Sequence, residues 1–218
     1  MNRDSKYSGL LLAAGNSSRM SSWKPAAILE DKPLLFYSLK TISDVCSDVV
    51  VVGGYNIKEL TSLVTDNAER FPAIITCIEN KNYESGMFSS VKAGISHTRN
   101  DHVFIALADM PFITTETYQQ LIDFSESGPP SVEVIYPAIN HYQASNKIKK
   151  GHPILIKKKV KEQIIGETED VILRDILKEF EGRECLVTDS GIVFDIDTED
   201  DYERAKNYYS YLKNKQET

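Results

Sequence analysis

Short apolar runs alternate with amphipathic stretches along almost the whole chain, and this alternation limits the fold more than any other feature. It predicts repeated β–α units, an α/β sheet with helices on both faces. Strands are expected at Ser8–Ala13, Val49–Val52, Ile74–Ile78, Val103–Ala108, Val134–Pro137, Pro153–Ile156, Glu184–Val187 and Val193–Ile196. Helices are expected at Pro33–Val45, Ile57–Arg70, Gly86–Thr98, Thr115–Glu126, Lys157–Ile164, Val171–Phe180 and Glu199–Lys213. Pro33 suits a first helical turn, where its missing N–H is not needed. Val103–Ala108 is apolar at successive positions, as a strand covered on both faces requires.

A chain of 218 residues fits one sizeable domain with a proper core. Its formal charge of −7 argues against general binding to nucleic acid or to a membrane surface. Cys46, Cys77 and Cys185 stand apart, without metal-ligand spacing, as in a reducing compartment. No secretory signal, membrane-spanning stretch, repeat or linker is evident, so the cytoplasm is the expected address.

In such sheets ligands sit beyond the carboxyl ends of strands. After the first strand, Leu12, Ala13, Ala14 and Gly15 form a small-residue turn whose N–H groups a phosphate can approach. Arg19 and Lys24 follow closely and suit a polyanion such as a nucleoside triphosphate. Neither a Walker A loop nor a Gly-x-Gly-x-x-Gly turn is present.

Asp109, directly after the central strand, suits either a Mg²⁺ ligand or a cap of the next turn. Asp195 and Asp197 alternate across Ile196 and project to one side of an extended backbone. Thr198 or Asp197 also fits as the cap of the helix from Glu199, with Asp200 and Asp201 in its first turn.

Ser85 reads as the cap of a helix whose Met87, Val91 and Ile95 share one face, with Gly94 allowing close approach to the sheet. Hydroxyls at that helix start suit a base and ribose, although Ser89 fits a solvated position equally well. The lysines at 147, 149, 150, 157, 158, 159 and 161 either draw an anionic ligand or form the wet face of a helix.

Together these segments resemble the nucleotidyltransferases related to molybdenum cofactor cytidylyltransferase. The matching strings are Leu12-Ala-Ala-Gly15-Asn-Ser-Ser-Arg19-Met-Ser-Ser-Trp-Lys24, Gly86-Met-Phe-Ser-Ser90-Val, Leu107-Ala-Asp109-Met-Pro111, Gly151-His152-Pro153 and Asp197-Thr-Glu-Asp-Asp201. Ser21 stands where the family usually has glycine. In Gly166–Arg174 only Asp170 and Arg174 match, and Ile172 replaces an expected glycine.

The resemblance runs from Leu10 to about Tyr202. It implies a Rossmann-like, GT-A-like nucleotidyltransferase fold with a mostly parallel sheet and a smaller antiparallel extension on the acceptor side. Residues of about 7–125 then form a nucleotide-binding half, and about 126–212 an acceptor-binding half.

The implied reaction moves a nucleoside monophosphate from an NTP to a phosphorylated acceptor and releases pyrophosphate. The Gly-Met-x-x-Ser-Val string points to CTP; the guanylyltransferase branch usually carries Gly-Pro-Leu there. The implied acceptor is molybdopterin in its molybdenum-bearing form, and a molybdoenzyme the implied client. Arg19 then meets the β,γ-phosphates and Lys24 the α-phosphate, while Asp109 and Asp197 hold Mg²⁺. Leu12, Ala13, Ala14, Gly15, Gly86 and Ser90 contact the nucleotide, and Gly151, His152 and Pro153 the acceptor.

A phosphate-monoester nucleophile, with a second pKa of about 6, needs no general base. Two other classes fit the same residues: a GTP-using or sugar- or alditol-phosphate transferase, and a non-enzymatic carrier that delivers nucleotide or pterin. Oligomeric state stays open.

Overall fold

Strands apolar at every position need cover on both faces, and the chain supplies it with helices from alternate connections. The computed structural model describes residues 5–15, 20, 22–141, 147–168 and 171–216. The chain begins with β1 (Tyr7–Leu12), a short hairpin of β2 (Ile28–Leu29) and β3 (Lys32–Pro33), then α1 (Leu34–Val45) and β4 (Asp48–Gly53). It continues through α2 (Ile57–Thr65), β5 (Ile74–Glu79), α3 (Met87–Ile95), β6 (His102–Leu107) and α4 (Thr115–Ser127). Then come β7 (Val134–His141), β8 (Lys147–Lys150), β9 (Ile154–Ile156), α5 (Lys158–Gly166), α6 (Leu173–Lys178), β10 (Gly182–Leu186) and α7 (Glu199–Gln216).

The main sheet has the order β10-β7-β9-β6-β1-β4-β5, with β8 continuing beside β7. β6, β1, β4 and β5 pair in parallel, as do β7 and β10. β9 runs against both β6 and β7, and β8 against β7. That is the mostly parallel sheet with an antiparallel extension. Because β9 is reversed, its amino end lies at the edge where β1 and β6 have their carboxyl ends.

Alternation along each strand divides the core in two. Leu11, Val49, Val51, Phe104 and Ala106 face one side, against α1, α2 and α4. Leu10, Leu12, Val50, Val52, Val103 and Ile105 face the other, against α3, α5 and α6. Each large side chain fully buried there stabilises the fold by about 1.5–3 kcal/mol. Gly94 is needed on α3: a Cβ there would lie 2.3 Å from Leu10 Cδ1 and 2.5 Å from Val52 Cγ2. A third cluster, with Leu29, Leu34, Phe112, Ile196 and Ala205, packs α7 back over the β2–β3 hairpin.

Polar groups at the amino edge of the sheet are mutually satisfied. Ser8 Oγ donates to Asp48 Oδ1 at 2.7 Å, and Asn100 Nδ2 donates to Ser47 Oγ at 2.8 Å. Among the described residues, no helix is long and apolar enough to cross a membrane.

Four expectations change. Val193–Ile196 is no strand: Ser190–Val193 is a 3-10 turn, and the following residues lead irregularly into α7. Its apolar residues pack inward instead of pairing, with Phe194 edge-on to Phe112. Lys147–Lys150, read only as charge, is a strand. Pro33 precedes α1 rather than opening it. The predicted helix to Arg70 breaks after Thr65 and resumes as a 3-10 turn at Ala68–Arg70.

Candidate active site

The end of β1 stays in register past its last residue. Ala13 N–H donates to Val52 O at 2.9 Å, and Ala108 N–H to Leu12 O at 3.0 Å. Ala13 and Ala14 are buried, whereas Gly15 is exposed and a Cβ on it would meet nothing within 4 Å. The glycine therefore opens onto free space at the lip of the sheet. Arg19, with Asn16, Ser17, Ser18 and Ser21, lies outside the described residues.

Lys24 opens a 3-10 turn with Pro25 next to it. Its Nζ lies 2.7 Å from Asp197 Oδ1 and 3.5 Å from Asp109 Oδ2. Three segments distant in sequence thus converge on one ammonium group. Asp109 is held by its main chain: Ser38 Oγ donates to the carbonyls of Ala108 and Met110, and Ile196 N–H donates to Asp109 O at 3.0 Å. That last bond binds the Asp197 segment to the end of β6.

The rival role for Asp197, capping α7, is taken by its neighbours. Thr198 Oγ accepts from Asp201 N–H at 3.2 Å, and Asp201 Oδ2 accepts from Thr198 N–H at 3.0 Å and from Asp197 N–H at 3.3 Å. This reciprocal box satisfies the helix start and leaves the Asp197 carboxylate turned to Lys24. Asp195 is exposed.

Burial raises the Asp109 carboxyl pKa above the ordinary carboxylate value; Lys24 opposes the shift and Asp197 adds to it. Asp109 Oδ1 is buried with no hydrogen-bond partner among the described residues. A buried carboxylate oxygen without a donor is costly, and a cation is a partner that fits it. No group of three metal-ligating side chains occurs among the described residues. Two carboxylates suit an ion such as Mg²⁺, which takes its remaining oxygens from substrate phosphate and water.

Two cavities that share a wall lie at this edge of the sheet, and Asp109 lines the smaller. One of about 270 Å³ is lined by Leu12, Ala14, Gly15, Tyr83, Gly86, Met87, Ser90, Leu107 and Asp109. The other, about 670 Å³, shares Gly86 and Met87 and reaches Tyr136, Lys150, Gly151, His152, Ile172, Arg174 and Lys178. Gly86 stands between them at φ 103°, a conformation that other residues avoid.

On the larger side, Gly151 lies so close to Ile192 O that no Cβ fits, and His152 N–H donates to Ile192 O at 3.1 Å. The His152–Pro153 peptide is cis, and Pro153 is buried. His152 Nδ1 lies 3.3 Å from Ile105 O, and burial lowers its pKa. Lys150 Nζ sits 2.6 Å from Glu184 Oε1 and 4.3 Å over the Tyr136 ring, and its ammonium holds the Glu184 carboxyl low.

The profile of the MobA-like NTP transferase domain matches residues 9–184 of the sequence. The chain belongs to this family. It is 30% identical over 203 residues to the molybdenum cofactor cytidylyltransferase of Escherichia coli (strain K12), covering 93% of this chain and 97% of that one. It is 26% identical over 211 residues to a probable molybdenum cofactor guanylyltransferase of Natranaerobius thermophilus, covering 92% and 95%. Among solved structures, 4-diphosphocytidyl-2C-methyl-D-erythritol synthase from Anaerococcus prevotii shares the fold: TM-score 0.73 at 14% identity, over 94% of this chain and 96% of that one. This MobA-like protein is a nucleotidyltransferase.

The MobA-like site gathers the sequence-derived residues unevenly. Leu12, Ala13, Ala14, Gly15, Lys24, Asp109, Gly86 and Ser90 line connected space, and Asp197 reaches it through Lys24. Gly151 and His152 line the larger cavity; Pro153 does not. Ser85 is not the cap of α3, because Gly86 occupies that place. Met87, expected on the buried face with Val91 and Ile95, is 50% exposed and lines both cavities.

Ser89 is buried rather than solvated, and its Oγ lies within donating distance of Asn82 O and Gly86 O. The lysine run divides. Lys158 and Lys159 pair with Asp101 and Glu133, and Lys161 donates to Thr98 and Asn100 carbonyls at the far edge of the sheet. Among the described side chains of that run, only Lys150 lines the larger cavity.

Tyr83, Tyr136 and Lys178 were not anticipated as cavity residues. Asn80 was also missed, although it directly follows a strand, the same signal that singled out Asp109.

Proposed function

We propose that this nucleotidyltransferase moves CMP from CTP to the phosphate of a molybdenum cofactor acceptor and releases pyrophosphate. The observation that carries the reading is the convergence of Lys24, Asp109 and Asp197 beside the smaller cavity, which Asp109 lines. The smaller cavity, floored by Gly15 and ending at Ser90, takes the nucleotide, and the role proposed for Arg19 is contact with its β,γ-phosphates. The larger one takes the acceptor. Its walls are mainly apolar, with the exposed Ile172 and the Tyr136 ring among them, and its cations are Lys150, Arg174 and Lys178. Such walls suit a fused ring bearing phosphate better than a hydroxyl-rich alditol phosphate, which needs many polar partners.

Asp109 and Asp197 would hold Mg²⁺, which when bound neutralises charge on the polyphosphate oxygens. Lys24 moves from its bridge between those carboxylates toward the α-phosphate and stabilises charge that develops there. The cavity walls hold the two substrates in line, so positioning supplies much of the acceleration. The acceptor phosphate is already ionised and needs no base. His152 keeps its proton on Nδ1, donated to Ile105 O, and presents a neutral ring to the acceptor.

The guanylyltransferase relative makes GTP the competing donor. Pyrophosphate release is measured with molybdenum cofactor, Mg²⁺ and either nucleotide. CTP should give at least tenfold higher kcat/KM, a difference of about 1.4 kcal/mol. Equal or reversed preference removes the cytidylyl assignment, and no release with either removes the acceptor.

A further inference from the structure

We propose that Asn80 fixes the polarity of the nucleotide cavity by forcing the Ser90 hydroxyl to act as a hydrogen-bond donor toward the nucleoside. This rests on the nucleotide assignment above. Asn80 follows β5, is 4% exposed, and its main-chain N–H donates to Gly53 O at 2.7 Å. Its side-chain Oδ1 accepts from Asn82 N–H at 2.9 Å. A main-chain N–H only donates, so the amide has one orientation: oxygen toward Asn82, nitrogen toward α3.

From there Nδ2 donates to Ser89 Oγ at 2.9 Å and to Ser90 Oγ at 3.0 Å. Both amide hydrogens are used. Ser89 spends its own proton on the Asn82 or Gly86 carbonyl, at 2.9 and 2.8 Å. Ser90 receives a hydrogen and, among the described residues, donates to none. A serine in a helix often turns back to the carbonyl four residues earlier, which here is Gly86 O, but Ser90 makes no such bond. Its O–H therefore turns away from Asn80, and the cavity it lines with Gly15, Gly86 and Asp109 is where it can donate.

A donor at this wall selects an acceptor atom on the ligand: a ring nitrogen or carbonyl of the base, or a ribose oxygen. Without Asn80 the hydroxyl is free to turn and present lone pairs instead. Asn80 is thus a positioning residue acting through Ser90, not a contact itself.

The test is a double-mutant cycle on the full chain, read as the Kd for MgCTP by calorimetry, with kcat followed in parallel. S90A should weaken binding about tenfold, near the upper end for one hydrogen bond. N80D keeps the acceptor for Asn82 but offers Ser90 an oxygen in place of N–H, so the hydroxyl turns inward. It too should weaken binding about tenfold, with kcat within about twofold. In the S90A background N80D should cost nothing further.

Thermal melts confirm folding, and N80A replaces N80D if the latter does not fold; its smaller effect should likewise vanish in S90A. Equal N80D losses with and without Ser90 mean that Asn80 only supports the loop. That result overturns the inference and leaves nucleotidyl transfer standing. Wild-type affinity in S90A overturns it too, by removing Ser90 from the nucleotide, whereas a wild type that binds MgCTP but releases no pyrophosphate overturns the transfer reading alone.

Discussion

Asp109 is a residue whose site value conflicts with its folding value. Burial raises its pKa, so the ionised form is disfavoured where it sits, and one oxygen finds no partner among the described residues. Asp109→Asn should therefore leave the melting temperature unchanged or raise it by about 2–4 °C, while pyrophosphate release falls at least about 100-fold. A loss of activity accompanied by unfolding would contradict that separation. Lys24→Ala removes the cation between two carboxylates and should cost about 1–2 kcal/mol. That is less than a fully buried pair, because solvent reaches Asp197.

His152 supplies the pH dependence. Burial lowers its pKa from 6.5, and His102 shifts the same way through burial and the nearby Lys157 and Lys6. The unfolded chain binds those protons more readily, so stability is full above about pH 6.5 and declines as pH falls toward the lowered values. His152→Gln should flatten that decline in urea melts across pH 5–7; an unchanged slope would mean that His152 charges freely in the fold.

At the scale of elements, the segment between β10 and α7 matters most, because it carries Asp197. It is tied down by Asp189, whose Oδ2 accepts from Thr114 N–H at 2.9 Å and Thr117 Oγ at 2.6 Å, and whose Oδ1 accepts from Gly191 N–H at 2.8 Å. One carboxylate thus ties the start of α4 to the turn that meets His152. Asp189→Ala should cost about 2–3 kcal/mol in urea melts; a change under about 0.5 kcal/mol would show the tie to be idle.

The sequence marks the parallel strands because their two-sided apolar runs can serve little else. Val193–Ile196 misleads, because its apolar residues pack against aromatic rings and not against a neighbouring strand. β8 is concealed because Lys147, Lys149 and Lys150 make that strand look like a loop, although charge is common on exposed edges. Lys24, Asp109 and Asp197 were legible from their motifs. Asn80, Tyr136 and Lys178 were not, since their neighbours depend on which segments meet in space.

For the whole molecule, the sheet order decides where chemistry is possible. β1 and β6 end at one edge, and the reversed β9 delivers Gly151 and His152 to that edge from the opposite direction. The two cavities therefore share Gly86 and Met87, and the smaller is lined by Asp109, which Lys24 links to Asp197. In a chain of net charge −7, Lys150, Arg174 and Lys178 concentrate positive charge at the larger cavity.

The proposed transfer requires a polyphosphate lying over Gly15 with a divalent ion held between Asp109 and Asp197. A crystal grown with Mn²⁺ and a non-transferable CTP analogue tests it directly, through the anomalous scattering of manganese. A peak is expected at coordination distance from both carboxylates and from phosphate oxygens, with Lys24 displaced toward the α-phosphate. Nucleotide bound away from Gly15, or manganese absent while Lys24 still bridges the two aspartates, would contradict it.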